Sequence, residues 1–352
     1  MTKDQLKKIL DSNILLLSSK PESAENLYEF YEEEMERGAN VLFAPDSFVC
    51  DKGTNLNDVV TAAGEKAFTA SLITPVKGGL KLYGGENTYA EYYEKIRLAA
   101  EKCYKAGISF IILGGFTNLT EIKCAVLATK EACPLPVLAG LKFDDEIKLE
   151  SNIDPAKAII TLQALDINGV GVYDAENADD ALEAISQLKE FAAVPLFAIP
   201  KVSEFMTPED FADYMGEYAG NKCALVGTAN GKAAYTAALS KALWQTEPFR
   251  PDFHSINAVT GMSDILFYDF KNNTIGENKR ILEISLETEK EAEEVVSKLI
   301  SSQSPPVCFK SKDLDALEMA LKLYPGRPAV KSDEYGEIAA KEFGALVLPE
   351  EE

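Results

Sequence analysis

The stretch Cys223-Ala224-Leu225-Val226-Gly227-Thr228, followed by residues 232–243, decides how the chain is read. An apolar run, a glycine turn and then a helical pattern describe a buried strand that feeds a helix. Seven earlier apolar runs have the same form: residues 14–17, 41–43, 68–72, 110–113, 137–141, 170–172 and 196–199. None alternates with polar residues, as expected of parallel strands covered on both faces. Helical patterns lie between them: 24–37 before Gly38, 89–105 before Gly107, 118–131 before Pro134, 154–168 opening on Asp154-Pro155, 177–191, and 207–218 opening on Thr207-Pro208-Glu209-Asp210. Their ends carry the cap residues that helices require. One joining phrase recurs, as in Arg37-Gly38-Ala39-Asn40-Val41-Leu42 and Lys105-Ala106-Gly107-Ile108-Ser109-Phe110. Eight strand–helix units predict an α/β chain with a (β/α)8 TIM barrel over residues 1–245. The alternative is an open, doubly wound sheet.

Residues 246–279 break this rhythm with Pro248, Pro251 and the only histidine, His254. They read as a linker holding a short hairpin or helix. A second series then begins, with strands at 281–285, 307–309, 329–330 and 345–348 and helices at 289–301, 314–323 and 335–343. These make a small C-terminal α/β domain, 280–352, near the lower size limit for independent stability. It is expected to pack on the barrel or on a second copy, the latter giving a homo-oligomer.

Composition bounds the function. The net charge of −22, from 35 basic and 57 acidic side chains, argues against nucleic acid and against anionic membrane surfaces, which both need clustered Lys and Arg. Acidity of this kind reports solubility or a basic protein partner. No run approaches the roughly 18 apolar residues of a membrane span, and the charged N-terminus lacks a signal-peptide apolar region. Six cysteines without a C-x-x-C pair fit free thiols in a reducing cytoplasm. One histidine cannot supply a histidine-based zinc site or a Ser–His relay.

In such barrels chemistry sits where strands end. Those positions give Asp46, Ser47, Lys142, Asp174, Lys201 and Thr228 as the candidate ligand-binding mouth, with Thr74, Gly114, Gly115 and Tyr173 beside them. Two lysines near Asp46 and Asp174 suit an anionic small molecule, and a buried lysine of depressed pKa could form a Schiff base. The plainer reading is a rim of solvated ion pairs. Gly227-Thr228-Ala229-Asn230-Gly231-Lys232 is not a Walker loop, because only three residues separate its glycines and Ala233 follows the lysine. A simpler phosphate or carboxylate seat at that helix start remains open. Gly78-Gly79 and Gly84-Gly85 flank 80–83 and read as a hairpin.

Taken in order, these motifs resemble the homocysteine S-methyltransferase family, including the barrel that opens cobalamin-dependent methionine synthases. Arg37-Gly38-Ala39-Asn40-Val41-Leu42 with Asp46-Ser47-Phe48 resembles the family's A-G-A-D … T-N-T-F segment. Ala70-Ser71-Leu72-Ile73-Thr74-Pro75 before Gly78 resembles its G-S-I-G-P-x-G strand and loop, and Leu119-Thr120-Glu121 part of its fourth helix. The resemblance implies a TIM barrel and zinc-dependent methyl transfer to homocysteine.

The departures fall on the chemistry. The opening D-G-A-x-G-T loop is replaced by Ser18-Ser19-Lys20-Pro21-Glu22-Ser23, and the substrate-holding Glu-Thr by Gly114-Gly115. The N-C that gives the first zinc thiolate is Tyr173-Asp174, and the G-G-C-C-G-T that gives two more is the opening stretch itself. Leu225 and Val226 cannot ligate a metal, so neither metal nor cofactor is expected. Residues 307–332 echo part of a pterin-binding barrel, with Lys310 and Lys331 where that barrel has Asp and Asn. Half a barrel cannot close, which argues against a folate site, and cobalamin binding is not expected. The expectation is a divergent member of the family that binds a small molecule or acts as an accessory protein. The alternative is an enzyme using Asp46, Asp174 and the rim lysines.

Overall fold

The computed structural model describes residues 1–19, 27–44, 56–176, 178–219, 223–244, 246–248, 250–251, 256–269, 274–275, 281–331 and 334–349. Eight short apolar segments pair in parallel: β1 (Leu15–Leu16), β2 (Val41–Ala44), β3 (Phe68–Ile73), β4 (Phe110–Phe116), β5 (Val137–Leu141), β6 (Gly169–Tyr173), β7 (Leu196–Ile199) and β8 (Leu225–Val226). Their order is β1-β8-β7-β6-β5-β4-β3-β2. The two ends of this sheet meet in a parallel bridge between Leu17 and Val41. The Asn40 N–H donates to the Leu16 carbonyl at 3.1 Å, and the Ser18 N–H to the Val41 carbonyl at 2.8 Å. The Asn40 side chain accepts the Leu16 N–H at 2.8 Å. The sheet therefore closes on itself, which rules out the open alternative.

Around it run α2 (Leu27–Glu36), α3 (Leu56–Ala63), α4 (Tyr89–Lys105), α5 (Leu119–Ala132), α6 (Pro155–Gln163), α7 (Ala178–Lys189), α8 (Pro208–Ala219) and α9 (Ala233–Ala242). Helix α3, with Leu56, Val59, Ala62 and Ala63 buried, has no counterpart in the sequence reading. Residues 80–83 form no hairpin strand but a 3-10 turn, Lys81–Tyr83, ended by Gly84 in the left-handed conformation. Ahead of the barrel, α1 (Lys3–Leu10) starts at a Thr2/Gln5 capping box. Its buried Leu6 and Leu10 pack with the interior residues Leu15, Val41 and Phe110.

The interior is apolar and set by volume. Tyr173 and Phe197 point inward with Phe43, Leu72 and Leu225, and neighbouring strands make room by carrying glycines. A Cβ on Gly114 would lie 2.9 Å from Tyr173 Cγ; one on Gly171 would lie 2.0 Å from the Phe197 carbonyl oxygen. Backbone cannot yield as a flexible side chain does.

Residues 246–279 supply an antiparallel meander, β9 (Ala258–Thr260), β10 (Ile265–Asp269) and β11 (Thr274–Ile275). The C-terminal part is a four-stranded parallel sheet, β12 (Leu282–Leu286), β13 (Val307–Ser311), β14 (Ala329–Val330) and β15 (Leu346–Val347), with α10 (Glu289–Ser301), α11 (Leu314–Leu323) and α12 (Glu334–Glu342). Alternation along β13 divides its faces. Val307 and Phe309 join the large core with the helices. Cys308 meets Ala329, Leu346 and Leu348 under the meander's Val259, Leu266 and Tyr268. The meander thus covers the second face of this sheet.

This unit docks on α5 and α6. Lys123 of α5 is fully buried. Its ammonium donates to the carbonyls of Leu321 (3.2 Å), Tyr324 (2.6 Å) and Gly326 (3.1 Å) at the end of α11. The Thr120 hydroxyl donates to the Leu323 carbonyl, and Lys157 of α6 donates to the Met262 carbonyl. The last carbonyls of a helix have no partners within it and favour a cation.

Three outcomes follow from the packing at the dock and inside the barrel. Lys123→Met strands three buried carbonyls and should cost about 2–4 kcal/mol in urea denaturation. Burial pushes the Lys123 ammonium down to about 7, against the pull of its three acceptors. The unfolded chain, with a lysine near about 10.4, then binds more protons across roughly pH 7–10, so this group's contribution to stability rises with pH there. Wild type should gain stability over Lys123→Met between pH 7 and pH 9; no relative gain would show that the lysine keeps its ordinary pKa. Gly171→Ala should cost about 3 kcal/mol or more, or prevent folding, through overpacking inside the barrel.

Candidate functional site

The C-terminal rim is positioned by the strand ladder. The Lys142 N–H donates to the Phe116 carbonyl, the Asp174 N–H to that of Ile199, the Lys201 N–H to that of Ala175, and the Ala229 N–H to that of Pro200. These bonds bring Lys142, Asp174 and Lys201 to one side of the mouth. Asp46 and Ser47 lie outside the described residues.

The three polar side chains share a network with a fourth, Glu176. Lys142 Nζ lies 3.0 Å from Asp174 Oδ2 and 2.7 Å from Glu176 Oε1; Lys201 Nζ lies 3.5 Å and 2.9 Å from the same atoms. Hydrogen bonds from the two lysines hold the Glu176 carboxyl down at about 2. Burial tends to lower Lys142, but its bonds to Glu176 and Asp174 outweigh that and keep it above the ordinary lysine value. Lys142 is therefore a fixed cation and not the depressed amine that Schiff-base chemistry needs. Glu176 escaped the sequence reading. Its signal was its place two residues past Asp174, in the same loop after β6.

Asp174 adopts φ +65°. That left-handed backbone is uncommon outside glycine and costs about 1 kcal/mol or more, least for Asp and Asn. Strain of this kind collects where a side chain must be aimed, and here it turns Asp174 toward both lysines.

Thr228 has a different task. It is buried, and its hydroxyl accepts the N–H groups of Gly231 (2.7 Å) and Asn230 (3.3 Å). The Asn230 side chain bonds both the N–H and the carbonyl of Val202. The loop after β8 is thereby stitched shut, and two N–H groups expected to face an anion already have an acceptor.

Beneath the rim, Leu225 and Tyr173 are buried in the apolar interior and Val226 among the barrel helices. Of the positions that match the family's zinc thiolates, only Asp174 offers a ligand atom, and its carboxylate is engaged by two lysines. These residues do not fit a zinc ion. Among the described residues, no group of three or more His, Cys, Asp or Glu is arranged to hold a metal.

Eight parallel strands closed on themselves and ringed by helices define a (β/α)8 TIM-barrel protein. The chain matches the homocysteine S-methyltransferase family over residues 49–242, more than half its length, and belongs to that family. Strands β1 and β2 lie before the matched stretch yet complete the barrel. Among solved structures, the apo form of homocysteine methyltransferase MmuM from Escherichia coli superposes with a TM-score of 0.54 at 15% identity, covering 66% of this chain and 97% of that one. Its metallated form gives 0.52 at 14% identity, covering 66% and 96%. These likenesses establish the fold, and they leave about a third of this chain outside the match. None of the curated proteins compared with the chain matches it.

The left-handed backbone sets an expected outcome. Asp174→Gly should stay within about 0.5 kcal/mol of wild type, whereas Asp174→Ala should lose about 1 kcal/mol more, because alanine keeps the strain and glycine does not. Thermal or urea denaturation of the pair reads this directly; equal losses would mean that the ion pairs, and not the backbone, set the cost.

Proposed function

We propose that this family member has given up zinc-dependent methyl transfer to homocysteine and serves as a small-molecule-binding or accessory protein. The observation that carries the reading is the replacement of the thiolate positions by Asp174, Leu225 and Val226, two of them packed as core. Without thiolates there is no site to make a zinc-bound homocysteine thiolate, the nucleophile of that chemistry.

The ligand we propose is anionic and meets Lys142 and Lys201. Glu176 supports this assignment. Its carboxylate spans both ammonium groups from an exposed loop position and occupies the place a ligand carboxylate or phosphate would take. An incoming anion displaces Glu176 while Asp174 keeps the lysines aimed. A second reading, an enzyme built on the same network, draws support from the strained Asp174 backbone.

Three measurements test this. Purified protein should carry well under one zinc per chain by elemental analysis, and should form no methionine from homocysteine and methyl donors with zinc added. A melting screen with homocysteine, methionine, folates, cobalamin and phosphorylated metabolites should find an anionic ligand; one at 100 times its dissociation constant adds about 2.7 kcal/mol. Glu176→Gln should bind that ligand several-fold tighter, and Lys142→Met should abolish the shift. Zinc-dependent methionine formation would overturn the proposal.

A further inference from the structure

Docking of the C-terminal unit on the barrel creates a groove of about 990 Å³ between α4 and α5 on one side and α11 and α12 on the other. It lies on the outer surface of the barrel helices, and none of its lining residues belongs to the charged rim. Its volume is that of a small-molecule site. Its floor is aromatic. Tyr89 and Tyr93 stack with ring centroids 6.0 Å apart and planes 29° apart, Phe343 lines the far side, and the Tyr89 hydroxyl is buried beside Cys124.

The charges around this floor do not balance. Lys322 already pairs with Glu318 and lies 5.3 Å from the centre of the Phe343 ring, so one cation on an aromatic face is built into the groove. Glu94 is held by Arg97. Lys130 donates to the Leu165 carbonyl at 2.7 Å, beyond the end of α6. That leaves Glu131 and Glu342. Glu131 accepts the Tyr93 hydroxyl; among the described residues neither carboxylate has a cation within salt-bridge distance, and Lys130, which lines the groove, is the cation near enough to feel Glu342. Both raise the Tyr93 hydroxyl further above its ordinary value, after burial, which shows that their field reaches the aromatic floor.

Two carboxylates beside an aromatic and methionine surface complement a ligand with ammonium groups joined by an apolar methylene chain. Ammonium groups gain from carboxylates and from aromatic faces, the methylenes gain from burial, and a chain of net charge −22 attracts such cations from solution. We propose that this groove binds a free linear polyamine.

Titration calorimetry of the full chain with spermidine at low salt tests the assignment. Saturable one-to-one binding is expected, weakened at least tenfold in a double Glu131→Gln, Glu342→Gln variant and at least fivefold in Tyr93→Ala. Tyr93→Phe, which keeps the ring, should stay within about threefold of wild type. A control that removes the same charge elsewhere, Glu32→Gln with Glu36→Gln, should leave affinity unchanged, and melting curves should confirm that all variants fold. Equal weakening by the control pair would reduce the binding to general attraction by net charge and overturn the proposal. So would absence of binding, or binding of an oligolysine peptide but not of spermidine.

Discussion

The Lys123 ammonium sits where two parts of the chain would otherwise be incompatible. A helix that ends against a protein surface brings carbonyls with no partner, and burying them unpaired costs more than the contact returns. Here α11 ends against α5, and one lysine answers three of those carbonyls. Because that end is satisfied, α5 can be covered all round; residues 119–129 are all buried. The same docking shapes the groove between α4, α5, α11 and α12. It also lets the meander cover the second face of the C-terminal sheet.

Inside the barrel the constraint is steric. Tyr173 and Phe197 fill space that glycines on β4, β5 and β6 vacate, and the interior below the rim is apolar from α1 upward. What polarity the mouth keeps is at its edge, in a network of two lysines and two carboxylates held by strand ends and by one strained backbone. The family's architecture survives in this chain, with Leu225 and Val226 packed as core at the end of the barrel's eighth strand.

Much of this was legible in the sequence because strand and helix periods are local. All eight barrel strands fell on the apolar runs, and the helix of residues 314–323 and the strand of 329–330 were placed to the residue. Helix α3 was missed because it is short and its apolar positions follow a polar stretch. The 80–83 turn was misread because glycines at both ends mark a turn without saying which kind. Lys142, Asp174 and Lys201 were found together because parallel register forces strand ends into one ring. Thr228 was found in place but not in role: its hydroxyl serves the loop, which a residue type cannot announce.

The sequence by itself determined the order of elements and the closed α/β architecture. Each of these depends on residue identity and on spacing along the chain. Only the tertiary structure decided that Lys123, which reads as one more solvated helix lysine, is a buried cap, and that Glu176 bridges the two rim lysines. It alone decided that the stacked tyrosines of α4 share a groove with Glu131 of α5 and Glu342 of α12. Those facts depend on which surfaces meet across long separations. Electrostatics and burial act through space, so a side chain's partners are fixed only when the packing is.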